Sequence, residues 1–214
     1  MARLVPQPFP TPQETAIATY NFTDIIEGSG IIQFYGFNTR ADTTLNYVLT
    51  ANSALLSHDL GTSTSTSGGG FSKDIDDDYD ITFNRTHTLK GAGYCNIVTH
   101  QSSNANEGCS QYFIIKLVHY DGSTETTLAT GQTETYLSGS TAAPEYKTNC
   151  VPLSISTARH FKKGDILRVT VEGWSNRTSG SGNIGYLHDP VGSRTPTNAE
   201  DSKLSIFVPF QLDI

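Results

Sequence analysis

The hydrophobic pattern of the sequence is clearest at residues 164–174, where apolar and polar residues alternate. Leu167, Val169 and Val171 fall on one side of an extended chain, and the polar residues between them fall on the other. Successive side chains of a β-strand point to opposite faces, so this period of two is typical of an antiparallel strand with one buried face. The segment therefore predicts a strand whose apolar side packs into a core.

The same alternation recurs to the end of the chain, where every second residue of the segment 204–212 is apolar. Clusters of Gly, Ser, Asn and Asp separate the apolar stretches and mark turns. The predicted strands are 15–22, 30–37, 44–50, 79–90, 94–100, 111–120, 124–130, 151–158, 165–174 and 203–212.

Helical patterns are missing. No segment shows the apolar spacing of a helix over several turns, and at most a single helical turn is expected near 51–58 or 142–146. Many strands without helices favour a sandwich or a barrel, and about eight to ten strands of this length suit a jelly roll. A chain of 214 residues is long enough for one such domain. We therefore predict an all-β fold, an antiparallel β-sandwich of the jelly-roll type that spans residues 15–214.

Residues 1–14 differ from the rest because proline occupies every second position from Pro6 to Pro12. Proline fixes φ and removes a backbone donor, so this spacing favours an extended arm over a sheet strand. A stiff arm loses little entropy when it docks. Val5 and Phe9 are its candidate anchors on a neighbouring subunit.

Other segments also indicate contacts outside the domain. The segments 111–120 and 31–37 are apolar on both faces, whereas strands of an antiparallel sandwich normally leave one face in water. The second face would be covered by a neighbouring subunit, by the arm or by local loops. The long segments 61–70 and 175–201 lack a strand pattern. Loops of this length are usually functional or held from outside, and a floppy surface loop is the alternative.

Charge and composition narrow the possible partners. The net charge of −7 disfavours nucleic-acid binding, which needs clustered Lys and Arg. No apolar stretch approaches the ~18 residues that cross a bilayer, and no hydrophobic segment of a secretory signal is present, so neither a membrane nor a secretory route is expected. The three cysteines cannot all pair within one chain. They are free thiols, or Cys109 pairs with Cys95 or with Cys150.

Common catalytic patterns are missing as well. The sequence has no Gly-x-Ser-x-Gly elbow and no phosphate-binding glycine loop, and its six histidines lack the spacing of a metal site. Folding could still gather several of the histidines. We predict no catalytic residue and a protein that is not an enzyme.

The acidic segment 74–80 is the best metal candidate. Asp74, Asp76 and Asp78 could hold Ca²⁺, since closely spaced carboxylates repel one another unless a cation or water relieves them. The segment departs from an EF-hand loop, which has Gly where Tyr79 stands. A solvated acidic turn that opens a strand is the alternative, and no other cofactor is expected.

A sugar site would need exposed aromatic residues beside polar loops. Trp174 at a strand end and Tyr186 in the long segment after it are the candidates. The chain has one Trp, and both residues suit a core or an interface equally well.

A series of strand-and-turn motifs runs through the second half of the chain. They are Asp-Ile-Thr-Phe-Asn-Arg at 80–85, Leu-Lys-Gly-Ala-Gly-Tyr at 89–94, the segment 160–172, and the strand 203–212. These motifs resemble jelly-roll virion proteins of tailed viruses. The resemblance implies a head decoration or cement protein, a head or tail fibre module, or another minor subunit, often trimeric.

A shell protein that lines a genome is expected to carry a basic arm. Arg3 is the one basic residue in residues 1–13, so the sequence favours a place on the outer surface. We predict a non-enzymatic structural protein of a bacteriophage virion, made in the host cytoplasm. Its expected role is that of an outer-surface capsid decoration or cement subunit, a homotrimer that binds itself and a capsid or other virion protein. The alternative is a carbohydrate-binding module of a tail or fibre that recognises the host.

Overall fold

The computed structural model describes residues 18–19, 29–41, 44–103, 109–137, 144–177, 180–191 and 203–211. These residues form β-strands and connecting turns, and no helix able to span a membrane occurs among them. The strands are β1 (Ala18–Thr19), β2 (Ser29–Ala41), β3 (Thr44–Thr50), β4 (Gly61–Ser65), β5 (Ser72–Thr82), β6 (His87–Ser103), β7 (Cys109–Tyr120), β8 (Glu125–Gln132), β9 (Tyr136–Leu137), β10 (Glu145–Phe161), β11 (Ile166–Arg177), β12 (Gly182–Leu187) and β13 (Ser205–Gln211).

The strands form one continuous, largely antiparallel sheet. Its order is β4-β12-β6-β13-β2-β3-β5-β11-β7-β8, with β1 added to β2, β10 to β6 and β9 to β7. β3 and β5 meet in a parallel bridge between Val48 and Asp80. This junction divides the sheet into two parts. We call the part with β1–β4, β6, β10, β12 and β13 the β6 half, and the part with β5, β7–β9 and β11 the β7 half.

The two halves stack face to face around one core. Tyr186 of β12 packs against Tyr79 of β5 and Phe113 of β7, with ring centroids 6.5 and 6.0 Å apart. A Cβ on Gly173 of β11 would lie 3.2 Å from Ile184 Cδ1 of β12. These strands are not neighbours in the sheet, so their contacts close a β-sandwich. The predicted all-β fold, a sandwich of the jelly-roll type, is confirmed.

Alternating apolar residues build this core as the sequence predicts. Leu167, Val169 and Val171 of β11 are fully buried, and so are Ile206 and Val208 of β13. Removing each such side chain from water contributes roughly 1.5 to 3 kcal/mol. The core therefore consists of the inward side chains of many strands, each of which buries one face.

Two strands form where the sequence predicted irregular segments. Residues 61–65 form β4 and residues 182–187 form β12. β4 pairs with β12, and β12 pairs with β6. Backbone hydrogen bonds to a neighbouring strand therefore hold the polar residues of β4 in an extended conformation, which an apolar pattern cannot reveal.

The acidic segment 74–80 is also a strand, and the alternative of a solvated turn is wrong. It lies within β5, whose inward side carries Ile75, Asp77 and Tyr79. The inward Asp77 interrupts the apolar face and hides the period of two. The predicted strand 79–90 is correspondingly divided between β5 and β6.

The predicted N-terminal arm, residues 1–14, lies outside the described residues, and so do its candidate anchors Val5 and Phe9. Of the predicted strand 15–22, the structure describes Ala18–Thr19, which pairs with β2. The proposed role of the arm thus remains a prediction.

The cysteines are free thiols, so neither alternative disulfide forms. Cys95 and Cys109 are buried and Cys150 is exposed. Burial raises the pKa of the Cys95 and Cys109 thiols. Both therefore stay protonated at neutral pH and act as small apolar groups.

Candidate binding surface

Three aromatic side chains lie side by side on the outer face of the β7 half. Phe71 precedes β5, Tyr112 is in β7 and Trp174 is in β11. The ring centroids of Phe71 and Tyr112 are 5.1 Å apart. Those of Tyr112 and Trp174 are 6.1 Å apart, with planes only 6° from parallel. All three remain partly or largely exposed. We call them the aromatic strip.

Strand register produces the strip. Trp174 lies opposite Tyr112 in the antiparallel pair of β11 and β7, and Glu172 lies opposite Ile114. The residues between them point inward, and Phe113 is fully buried. An apolar outer residue of β7, as predicted from the sequence, therefore lies beside Trp174 of β11 on one surface. Ile114, which is partly exposed, extends this surface beyond the strip.

Charged side chains beside the strip are paired with one another. Glu172 accepts hydrogen bonds from Lys116 Nζ at 2.7 Å and from Lys73 Nζ at 3.4 Å. It also accepts from Trp174 Nε1 at 3.3 Å, which orients the indole. Burial alone would raise the pKa of the Glu172 carboxyl, but the bonds from Lys116 and Trp174 outweigh it and hold the pKa below its ordinary value. Glu172 is therefore an anion at neutral pH.

A second charged group lies further along the same face. Arg168 donates to both carboxylate oxygens of Asp80, each at 2.8 Å, and lies 3.4 Å from Asp78. It also donates to Glu125. The hydrogen bonds to Asp80 raise the pKa of Arg168 above its ordinary value. This bidentate pair fixes the guanidinium in the plane of the carboxylate.

The three carboxylates predicted to hold calcium belong to β5. Asp74 accepts from serine hydroxyls, Asp76 from Lys73 Nζ at 2.6 Å and Asp78 from Thr170 Oγ1 at 2.5 Å. Alternate residues of a strand are roughly 6.6 Å apart, which is far for ligands of one ion. No group of His, Cys, Asp or Glu in the described part of the chain is arranged to hold a metal ion. The calcium hypothesis gains no support.

The two aromatic residues predicted for a sugar site lie in different environments. Trp174 belongs to the aromatic strip. Tyr186 is wrong as a sugar ligand, because it lies in β12 and is fully buried between the halves. Its hydroxyl donates to Asp77 Oδ2 at 2.6 Å and lies 2.8 Å from the hydroxyl of Tyr79. Phe71 and Tyr112, which sequence reasoning did not assign to the site, take its place beside Trp174.

A buried polar network surrounds His188, just beyond β12. Its Nδ1 lies 3.3 Å from Ser57 Oγ and its Nε2 lies 3.4 Å from Thr62 Oγ1. Burial lowers the pKa of His188 to about 4, so the imidazole is neutral at pH 7. Asp189 accepts from the backbone N–H of Ser57 at 3.2 Å. Ser57 and His188 are 2% and 0% exposed, so a substrate cannot reach this serine and histidine in the folded protein.

Another polar cluster joins β7, β10 and the turn between β10 and β11. His119 Nε2 is 2.7 Å from Asp165 Oδ2, and Arg159 Nε donates to His119 Nδ1 at 2.7 Å. The backbone N–H of Lys162 and the contact with His119 lower the pKa of Asp165. Arg159 lines a pocket of about 310 Å³ between β8 and β10. Sequence reasoning missed this cluster because its members are distant in the chain.

Known proteins match this chain in structure but not in sequence. No family model and no curated protein matches the sequence. A CocE/NonD family hydrolase from Staphylococcus aureus is 12% identical, with a TM-score of 0.48, and the match covers 83% of this chain and 36% of the hydrolase. An α-amino acid ester hydrolase is 10% identical, with a TM-score of 0.51, and the match covers 84% of this chain and 36% of the hydrolase. A structure of infectious bursal disease virus is 12% identical, with a TM-score of 0.27, over 96% of this chain and 58% of the viral chain.

The match to the α-amino acid ester hydrolase corrects the prediction that the chain is not an enzyme. That prediction assumed that an all-β chain without a catalytic motif has only a structural role, but a similar fold occurs in the ester hydrolase. The chain spans about a third of the length of the hydrolases it matches, 36% in each case. At 10% identity the likeness shows the fold alone, so it transfers no catalytic residue and no substrate.

Proposed function

We propose that the chain is a β-sandwich subunit of a virion, located on its outer surface, which associates with further copies of itself through the aromatic strip. The observation that carries the self-association is the outer face of the β7 half, where Phe71, Tyr112 and Trp174 lie together in partial contact with solvent. The virion location rests on the resemblance of the strand-and-turn motifs. Clustered aromatic residues rimmed by polar ones are typical of protein interfaces.

The charges around the strip support a subunit contact. Lys116 and Glu172 form an ion pair, and so do Lys73 and Asp76. Covering a charge costs most when it has no partner. Because these charges already have partners within the face, a second copy can cover the strip without supplying opposite charges. In a dimer the same patch on both copies then forms a self-complementary contact, and in a trimer the three patches meet around a threefold axis.

Sedimentation velocity tests this proposal on the intact chain. The protein is expected to form a dimer or trimer, and the double variant Tyr112→Ser, Trp174→Ser is expected to sediment as a monomer at the same concentration. Leu56→Ser is the matched control, because Leu56 is 62% exposed and lies outside the strip. An intact protein that stays monomeric, or a double variant that associates as well as the control, would contradict the proposal.

A chain lacking residues 1–13 separates the strip from the predicted arm. If Val5 and Phe9 anchor the assembly, the truncated chain remains folded but no longer associates. If the strip alone is sufficient, the truncated and intact chains sediment alike. In both cases the sedimentation of the strip variants is compared with that of Leu56→Ser.

A second candidate function is the binding of a glycan at the same surface, as in a tail or fibre module. The near-parallel rings of Tyr112 and Trp174 favour it, because sugar rings stack on flat aromatic faces beside polar groups. Glycan-array binding by the protein, lost in Trp174→Ala and retained in Leu56→Ser, is the expected result. Equal binding by both variants would exclude the strip as the sugar site.

A further inference from the structure

The pocket between β8 and β10 lies at a seam of the sandwich. β10 pairs with β6 along most of its length, but the register shifts between Ile155 and Arg159. Residues 156–158 therefore leave the ladder and form a bulge, a feature that often lies next to functional sites. The pocket, of about 310 Å³, opens beside this bulge. Its hydroxyl-bearing wall is formed by Thr126, Thr127, Ser156 and Thr157.

Arg159 enters this pocket in a fixed position. Its Nε donates to His119 Nδ1 at 2.7 Å, and one Nη2 N–H points to Thr126 Oγ1 at 3.4 Å. Because Nδ1 of His119 accepts a hydrogen bond, the ring proton lies on Nε2 and is donated to Asp165 Oδ2, 2.7 Å away. His119 and Asp165 have side chains that are only 5% and 12% exposed. A largely buried chain of hydrogen bonds thus orients the guanidinium.

The charge of Arg159 has no direct counterion in the described part of the chain. Arg168 shows the contrast, since it contacts the carboxylates of Asp80 and Asp78. The nearest polar partners of Arg159 are an imidazole nitrogen and a hydroxyl. A guanidinium has five N–H donors, and the hydrogen bonds to His119 and Thr126 use two of them.

We propose that this pocket binds a compact oxyanion: a carboxylate, sulfate or phosphate group. The Nη edge of Arg159 provides two parallel donors, which match two oxygens of such a group. Hydroxyls of Thr126, Ser156 and Thr157 donate to the remaining oxygens. The proposal does not depend on the role of the aromatic strip, which lies on another surface.

Titration followed by backbone amide NMR tests the site. Sulfate, inorganic phosphate and acetate are added separately at constant ionic strength, with sodium chloride as the balancing salt. Saturable shifts confined to residues 126–128 and 156–159 are expected. Acetate separates a planar carboxylate ligand from the two tetrahedral anions. Shifts that are linear, or that chloride reproduces, would overturn the proposal.

Two variants with the same charge change make the test specific. Arg159→Gln is expected to weaken binding at least tenfold, whereas Arg85→Gln, in an exposed turn between β5 and β6, is expected to bind like the original protein. If Arg159→Gln does not fold, Thr157→Val keeps the arginine and removes one pocket hydroxyl, and it should weaken the anion by several-fold. Equal affinity in the original protein and the pocket variants would exclude the site.

Discussion

Carboxyl groups lie both on the outer face of the β7 half and in the polar layer between the two halves, but their pKa values shift in opposite directions. On the outer face, Glu172 is held in its charged form by Lys116 and Trp174, which lower its pKa. Between the halves, burial raises the pKa of Asp77, although Tyr186 donates to it. Burial likewise lowers the pKa of His188 to about 4.

The comparison shows which physical effect dominates in each place. On the outer face Glu172 keeps its charge because the hydrogen bonds from Lys116 and Trp174 outweigh its loss of water. Inside the sandwich the loss of water outweighs single hydrogen bonds, so groups shift toward their neutral forms. The inner layer should therefore respond strongly to mutation and to acid, and the outer face should respond weakly.

The largest expected effect is that of truncating Tyr186. Tyr186→Ala removes a fully buried ring that contacts Tyr79 and Phe113 and leaves their surroundings open. The free energy of unfolding is expected to fall by about 3–5 kcal/mol, measured by urea denaturation. Trp174→Ala is the matched control on the outer face, with an expected loss of about 1 kcal/mol. Equal losses would mean that the two regions do not differ as described.

Acid should destabilise the protein through His188. The unfolded chain binds a proton at this residue near its ordinary pKa of 6.5, whereas the folded protein binds it only near a pKa of about 4. Between these values the unfolded state holds more protons, so stability falls as the pH is lowered, by about 3 kcal/mol in total.

Urea denaturation between pH 7 and pH 4 measures this effect. His188→Gln should flatten the dependence, because a neutral amide does not titrate. The exposed His160, changed in the same way, should leave the slope intact. A slope that persists in His188→Gln would assign the acid sensitivity to other groups.

The same contrast explains how much the sequence could predict. β11 and β13 were predicted because their apolar residues alternate and fill the core. β5 was partly missed because Asp77 points inward, where Tyr186 of a distant strand accommodates it. β4 has no apolar face to detect. The β-propensity and the spacing of apolar residues are properties of a short segment, whereas such strands depend on neighbours that are far away in the chain.

The candidate sites followed the same rule. Trp174 was identified from its place at a strand end, and the two-sided pattern of β7 pointed to an exposed apolar face. Phe71 lies outside every predicted strand, so only the fold places it beside Tyr112. The contact of Arg159 with His119 joins residues 40 positions apart. No spacing rule for a known site covers that separation.

A moderate effect is expected from Glu172→Gln on the outer face. The change removes the charge to which Lys116 and Lys73 donate, and stability at pH 7 should fall by about 1–2 kcal/mol. Because the folded pKa of Glu172 lies below its ordinary 4.5, its contribution is present above that value and is lost as the pH falls through the folded pKa. The difference in stability between variant and original protein, measured by denaturation at a series of pH values below 7, should therefore shrink as the pH falls through the folded pKa.

The smallest effect is expected for the ion pair of Lys73 and Asp76, although its 2.6 Å distance is shorter than that of Lys116 and Glu172. The side chain of Asp76 is 53% exposed and that of Glu172 is 8% exposed. Water solvates an exposed carboxylate almost as well as the ammonium group does, so Asp76→Asn should change stability by less than about 0.5 kcal/mol in urea denaturation. A loss as large as that of Glu172→Gln would show that distance, and not access to water, decides the strength of ion pairs on this face.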